Sequence, residues 1–511
     1  MGKDAVVGPI EAREVDDSSS QEHASTDDRT PPPLTWKLAS VVLISLIGFG
    51  SNWSAGITGA MKSTLKKELH INNKQFSLLE ASEDFIVTAL ILWSGVVTDK
   101  IGGANAIIYG NIIYSIGSIV IASAAQIRSY KTMIGGRVIS TFGDVATQVA
   151  QYKMFSSWFP PNNGFGSTLG LQLGLGKIGS FVGKATANVI AKNTGNFAWT
   201  FWVAVFINVF TNIMTIVFYW FNRVATKKFV SRADPATGEQ LTEKNKKFEL
   251  QKVLELPWVY WAVLAFSLLE TSVAIVFLQN ATELAEQRFG TDSVSAGWYS
   301  ALSQYAGFFL VPLIGMFIDL FGNRISLMVI CGIGVSTAMA LINWSNTTQG
   351  TAAAFGIYAF AYSIGPTTII DSIRTSMWHQ SVFGTAYGIK IGMNNAMNII
   401  VRVITGAIQD RDNNSYDHVV IVYVVLSMSC VVVSLCLVLI SWRAVDLRRL
   451  QWTRKQRIAK GDLIVERKDK FYGEDWARNR MVSRGFFAAF TLLVLGSWCA
   501  YFWGVATGNN D

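Results

Sequence analysis

Asp144 and Lys177 are charged residues set deep inside long apolar stretches. At 1.5 Å per residue they lie about 10 Å and about 16 Å from the ends of those stretches that face the same side. If the stretches are antiparallel neighbours, such depths predict an ion pair that protonation or a bound solute opens and closes. The plainer reading is a static pair holding the fold together. Glu270 and Lys390 are further single charges in apolar surroundings, open to a functional or a structural reading. Glu80, Glu83 and Asp84 cluster towards one end of their stretch, where a solvated helix end competes with a vestibule that attracts cations. Soft sulfur is the other chemistry present. Met393 and Met397 stand four apart, hence on one helical face, with Asn394 and Asn395 adjacent, and thioether sulfur suits copper(I). A second stripe is Met328, Cys331 and Met339, although methionine stripes are usually packing.

A duplicated motif frames these residues. GVVTDKIGG at 95–103 carries Gly95, Asp99, Lys100 and Gly102, and GMFIDLFGN at 315–323 repeats Gly315, Asp319 and Gly322 at the same spacing. Glycine lets helices approach closely, and an Asp at a membrane edge can lock them by meeting a cation or a helix terminus. GLGK at 174–177 imitates the end of a phosphate loop, but Leu171 and Ile178 break the pattern, which disfavours an ATP-driven pump.

The elements that hold these residues are membrane segments. Apolar residues are 50% of the chain and charged residues 15%, against about 25% charge in soluble domains. Runs long enough to cross a bilayer recur near 38–57, 75–97, 104–125, 133–151, 166–190 and 198–221, then near 258–278, 296–318, 325–344, 351–373, 383–408 and 418–442. The expected organisation is a disordered cytoplasmic tail (1–37), without the apolar stretch of a signal peptide, followed by a six-helix half (38–221). A basic cytoplasmic linker (222–255), a second six-helix half (256–442) and a basic cytoplasmic segment (443–484) come next. Residues 485–506 then run without a formal charge and predict a thirteenth membrane helix. The fold class is therefore an all-α membrane bundle of twelve helices plus one.

Lys and Arg in the linker and in 443–484 put both inside. The sequons at Asn280, Asn346 and Asn413 then fall in outer loops as glycosylation candidates. The four cysteines show no CxxC spacing, so neither a disulfide framework nor a zinc site is expected. No cofactor is expected, and no basic face on a soluble domain suggests nucleic acid. No histidine falls in mid-membrane, and no nucleophile–base pair or metal triad supports an enzyme.

The duplicated Gly-x-x-x-Asp-x-x-Gly motif resembles the loop 2–3 and loop 8–9 signatures of the major facilitator superfamily of secondary transporters. Within it, IGFGS at 47–51, GLQL at 170–173 with IGS at 178–180, and FGTAYG at 383–388 resemble the lysosomal dipeptide-transporter branch. Fungal proteins resembling that branch include copper-regulated transporters credited with copper uptake. The resemblance implies a major-facilitator-type bundle working by alternating access. It also implies that the eleventh segment borders the cavity, which favours Met393 and Met397. Where the dipeptide transporters carry a fifth-segment arginine and a fourth-segment glutamate, this chain has Lys177 and, by register, Val145 with Asp144 beside it. Copper uptake leads as the expected cargo, with dipeptides or amino-acid-like solutes as the alternative and protons as the candidate coupling ion. A nutrient sensor with a transporter fold is the reading from another class. The expected location is a plasma membrane or a vacuolar or lysosomal-type membrane.

Overall fold

The computed structural model describes residues 32–159, 164–229, 254–345, 347–379 and 383–508, apart from the side chains of 92, 95, 96, 99 and 156. Most of the amino-terminal tail and of the linker, together with Asn346 and the motif positions Gly95 and Asp99, falls outside that description.

The first crossing is broken at Gly48 into α1 (Leu34–Ile47) and α2 (Phe49–Ala60), and the short α3 (Lys62–Leu69) follows at the end that the Lys/Arg reading of the sequence makes the outer one, the opposite end being the inner. The first half continues with α4 (Asn73–Ile101), α5 (Gly103–Gln126), α6 (Tyr130–Trp158), α7 (Phe165–Thr194) and α8 (Ala198–Lys228). The second half comprises α9 (Trp258–Phe289), α10 (Ser293–Phe321), α11 (Arg324–Trp344), α12 (Thr348–Ser376), α13 (Phe383–Arg411) and α14 (Asp417–Arg443). Ten of the crossings, counted with the carboxyl-terminal helix, are apolar and long enough by composition to span a membrane. Three further helices of matching length, α4, α6 and α7, complete the bundle and carry much of its buried charge.

Local sequence starts these helices where hydropathy alone is vague. Asn72 and Gln75 form a reciprocal capping box on α4, and Ser129, Asp292 and Thr347 accept first-turn N–H groups of α6, α10 and α12. Gly102 and Gly322, the last glycines of the two motif copies, end α4 and α10 at φ values of 88° and 68°, a region that side-chain-bearing residues rarely enter.

Two seams join the halves: α4 against α13, and α7 against α10. The second is glycine-lined. A Cβ on Gly170 would meet the Val311 carbonyl at 2.7 Å and the Gly315 Cα at 3.2 Å, so the backbones touch.

After α14 the chain folds back on the inner end of the second half through α15 (Val445–Arg448) and a 3₁₀ turn, Arg449–Gln451. The Arg449 guanidinium lies 3.7 Å from the Trp378 ring centroid and donates to the Ser376 carbonyl. Burial lowers the Arg449 pKa to about 10, which leaves it charged at neutral pH. Next come α16 (Arg454–Ala459), α17 (Gly461–Tyr472) and α18 (Trp476–Gly508). α18 starts beside Glu255, to which the Trp476 indole donates at 3.1 Å, passes Trp261, where Phe486 stacks at 5.4 Å, and ends beside Lys74, which donates to the Thr507 carbonyl. It therefore runs the height of the bundle as a thirteenth long helix, along α4 and α13.

Candidate functional site: a charged cavity between the halves

The cavity between the halves, about 430 Å³, falls within the range of small-molecule sites. Asp144 on α6, Lys177 on α7, and Lys390 and Asn395 on α13 all line it. Glu270 sits just behind the wall beside Thr271, whose hydroxyl donates to it at 3.1 Å.

The expected Asp144–Lys177 ion pair is absent. Asp144 faces the Ser51 side chain and the charge of Glu83, whereas Lys177 faces Glu270 and Lys184. The reason is which neighbours α7 selects. Its Lys177 stem crosses Gly307 of α10, and the ammonium sits 3.6 Å from the Tyr362 ring centroid on α12. Lys177 thus points into the second half, away from α6. Lys390 also lies within electrostatic reach of Glu270, so two lysines feel one carboxylate without an ion-pair contact to it. Register decides the other side: Asp144 opens on the cavity, while Val145, one residue and about 100° on, is 4% exposed in the apolar core.

Glu80, Glu83 and Asp84 do not form a solvated helix end. Arg137 of α6 pairs with Glu80 at 3.2 Å and with Glu83 at 3.1 Å. Arg402 of α13 reaches Asp84 at 2.6 Å and Glu80 at 3.4 Å, and the Gln279 amide also donates to Glu80. Burial forces Glu80 and Asp84 to find cations, while Glu83 stays partly exposed, and Glu80 thereby ties the first half to the second. Arg137, Arg402 and Lys184 were missed in the sequence, although the rule that singled out Lys177 applies equally to any charge in an apolar run.

Met393 and Met397 are half-buried and pack against the apolar core, off the cavity wall, although Asn394 and Asn395 beside them line it. Met328, Cys331 and Met339 are fully buried in the same core.

Asn280 is not in an outer loop. α9 extends to Phe289, and the Asn280 side chain is held inside by Lys62 at 2.8 Å and Tyr423 at 2.9 Å, which leaves no room for a sugar. Asn413 is exposed in the turn after α13.

Both ends of the cavity are latched by carboxylates on helix N-termini. At the inner end Asp319 of α10 accepts the Gly166 N–H at 3.2 Å, the Ser167 N–H at 2.7 Å and the Ser167 hydroxyl at 2.5 Å, all from the first turn of α7. At the outer end Asp410 of α13 accepts the Asn73 and Lys74 N–H groups of α4 at 3.1 and 3.0 Å. Lys62, buried beside it, bridges Glu283, Asn280 and Gln409 at 2.8 Å each.

The profile of the Major Facilitator Superfamily matches residues 42–401 of this chain. The chain belongs to that superfamily. As a major facilitator it is a multi-pass secondary transporter of a small solute, and not an enzyme. The lysosomal dipeptide transporter MFSD1 of Bos taurus is 23% identical over 396 residues, spanning 74% of this chain and 81% of the relative. The Mus musculus protein is 24% identical over 402 residues, spanning 74% and 82%. The riboflavin transporter RibZ of Clostridioides difficile matches a shorter stretch, 25% identical over 168 residues and covering 33% of this chain and 35% of that one. Among solved structures, the proton:xylose symporter XylE bound to 6-bromo-6-deoxy-D-glucose superposes with a TM-score of 0.62. It is 13% identical and covers 83% of this chain and 99% of its own, which speaks for the fold.

Proposed function

We propose that this transporter carries dipeptides or amino-acid-like zwitterions by alternating access. The observation that carries the reading is the separation of unlike charges around the cavity. Among the described residues no Lys or Arg pairs with Asp144, while Lys177 and Lys390 have one carboxylate between them. A zwitterion complements both sides: its ammonium meets Asp144, and its carboxylate meets the lysines. Buried amide oxygens of Gln172, Gln304 and Asn398 on the same wall have no hydrogen-bond partner and suit peptide N–H donors. Lysine grips a carboxylate as a point charge, without the fork of an arginine, so side-chain selectivity is expected to be broad.

Glu270 is the group through which protons would couple. Its protonation frees Lys177 and Lys390 for a solute carboxylate, and solute release returns them to it. Copper uptake stands behind this reading, because the sulfurs best suited to copper(I) lie off the cavity and the MFSD1 relatives are dipeptide transporters.

The test is uptake by the purified chain in liposomes, comparing a dipeptide mixture with copper(I), with and without an inward proton gradient. Gradient-dependent dipeptide uptake, lost in Asp144→Asn and in Lys177→Gln, supports the proposal. Copper uptake without dipeptide uptake overturns it, and dipeptide binding without flux makes the protein a sensor.

A further inference from the structure

A second cavity, about 290 Å³, lies at the inner membrane edge, away from the transport path. Its walls come from the start of α9 at Trp258, the end of α12 at Trp378, Asp446 of α15, α17, and the first turns of α18. Three cations face it: Arg467, Lys470 and Arg478. Among the described residues Arg467 and Arg478 form no ion pair, and Lys470 has only the exposed Glu474 at 3.6 Å. Two residues of its wall also carry a polar atom without a partner. Trp378 is 6% exposed, and its indole N–H donates to nothing, while the buried Oδ1 of Asp446 accepts nothing. Buried polar groups are normally satisfied, so an orphan donor and an orphan acceptor in one cavity mark the place of a ligand that supplies both complements.

We infer that this cavity holds the headgroup of an inositol phospholipid of the inner leaflet. The phosphodiester takes the cations and the Trp378 N–H, and the ring hydroxyls donate to Asp446. Charge agrees: three cations against Asp446 and Asp475 leave a single positive charge, which a phosphodiester balances. Position argues for a lipid over a free phosphate. Trp258 opens one membrane helix and Val482 leads into the apolar part of another, so the cavity stands at headgroup level with lipid-facing helices on either side. Basic pockets between membrane helices on the inner side are where anionic headgroups are held. The Arg467→Gln/Arg478→Gln double variant tests the site, because Arg467 is half-buried, Arg478 is exposed, and neither forms an ion pair among the described residues.

The experiment measures thermal unfolding of the full chain in detergent against added short-chain phosphatidylinositol, phosphatidylglycerol, phosphatidylserine and inositol 1-phosphate. Phosphatidylinositol should stabilise the wild type saturably and at lower concentration than the other lipids. Loss of two charge-assisted contacts should raise the half-saturating concentration at least about tenfold in the double variant. Asp446→Asn should narrow the preference for phosphatidylinositol over phosphatidylglycerol. Equal responses of wild type and double variant to phosphatidylinositol would overturn the site. An equal effect of inositol 1-phosphate at the same concentration would overturn the lipid assignment, as would a preference for phosphatidylserine.

Discussion

Replacing Arg402 by Met removes the cation that the buried carboxylates of α4 share with the second half. The Arg402 Nε stands 2.6 Å from an Asp84 oxygen but is not aligned as a hydrogen bond, so the contact acts chiefly through charge. Both side chains are 5–6% exposed, so water screens little of it. Arg137 already serves Glu80 and Glu83, and without Arg402 the Asp84 carboxylate has no ion-pair partner. Breaking a buried pair from one side costs about 3–5 kcal/mol, a large part of the roughly 5–15 kcal/mol that typically holds a folded protein together. Met fills the space of the arginine stem, so the loss reports charge more than packing. Equilibrium unfolding in detergent measures the cost. The control is Asp84→Asn in the Arg402→Met background, which removes the orphaned charge and should recover most of the stability. If Arg402→Met alone unfolds within about 0.5 kcal/mol of wild type, the network is solvated and this account of its charge is wrong.

Two latch variants should loosen opposite ends. Asp319→Ala uncaps α7 at a cost of about 1 kcal/mol and should speed labelling of a cysteine introduced into the cavity wall by reagents supplied from the inner side. Asp410→Ala leaves the Asn72 cap of α4 in place but removes the acceptor of its Asn73 and Lys74 N–H groups, and should do the same from the outer side; identical effects of the two would count against separate latches. Replacing Met393 and Met397 together by Leu should leave solute uptake unchanged and cost less than about 1.5 kcal/mol per site, and a selective loss of copper uptake would bring the sulfurs back into the chemistry.

Hydropathy made the crossings legible because lipid-facing surface must be apolar whatever the tertiary contacts. It failed at Asn280 for the converse reason. The last turns of α9 are polar, yet Glu283 there is buried against Lys62 of α3, Gln409 and Tyr416, so they read as a loop although they are helix. Intramembrane charge located Asp144, Lys177 and Lys390 on the cavity wall, since an ionised group in a bundle must face protein or water. Their pairing was not legible. Depth along a helix says nothing of azimuth, and whether Lys177 looks towards α6 or α12 depends on how Gly307 lets its stem pass. The latches were half legible. The duplicated motif marked Asp319, but its partner, the FGS start of α7, becomes visible only beside the FGT that starts α13, an echo in the sequence that the motif alone does not reveal.

α18 makes the bundle asymmetric, and this has a kinetic consequence. In its outer half it grips both sides of the α4–α13 seam. The Trp498 indole donates to Thr88 at 2.8 Å, Tyr501 stacks on Phe85 at 4.7 Å, and Gly504 fits between Leu78 of α4 and Val403 of α13. In its inner half the ring stacking of Phe486 and Phe487 is with Trp261, on the second half alone. Outer opening pulls α4 from α13 and must strain the grip, whereas inner opening leaves it intact. The helix therefore biases the carrier against the outward-open state. The α7–α10 seam has no such strap among the described residues. Tyr501→Ala removes the stacked pair, worth about 0.5–1.5 kcal/mol beyond its buried area, and should raise the outward-open population by about two- to tenfold. A single cysteine in the outer part of the cavity, labelled from outside in intact cells or right-side-out vesicles, reads the shift as a faster rate. An unchanged rate, with the carboxyl terminus still on the outer side, would mean that α18 rides on the bundle without restraining it.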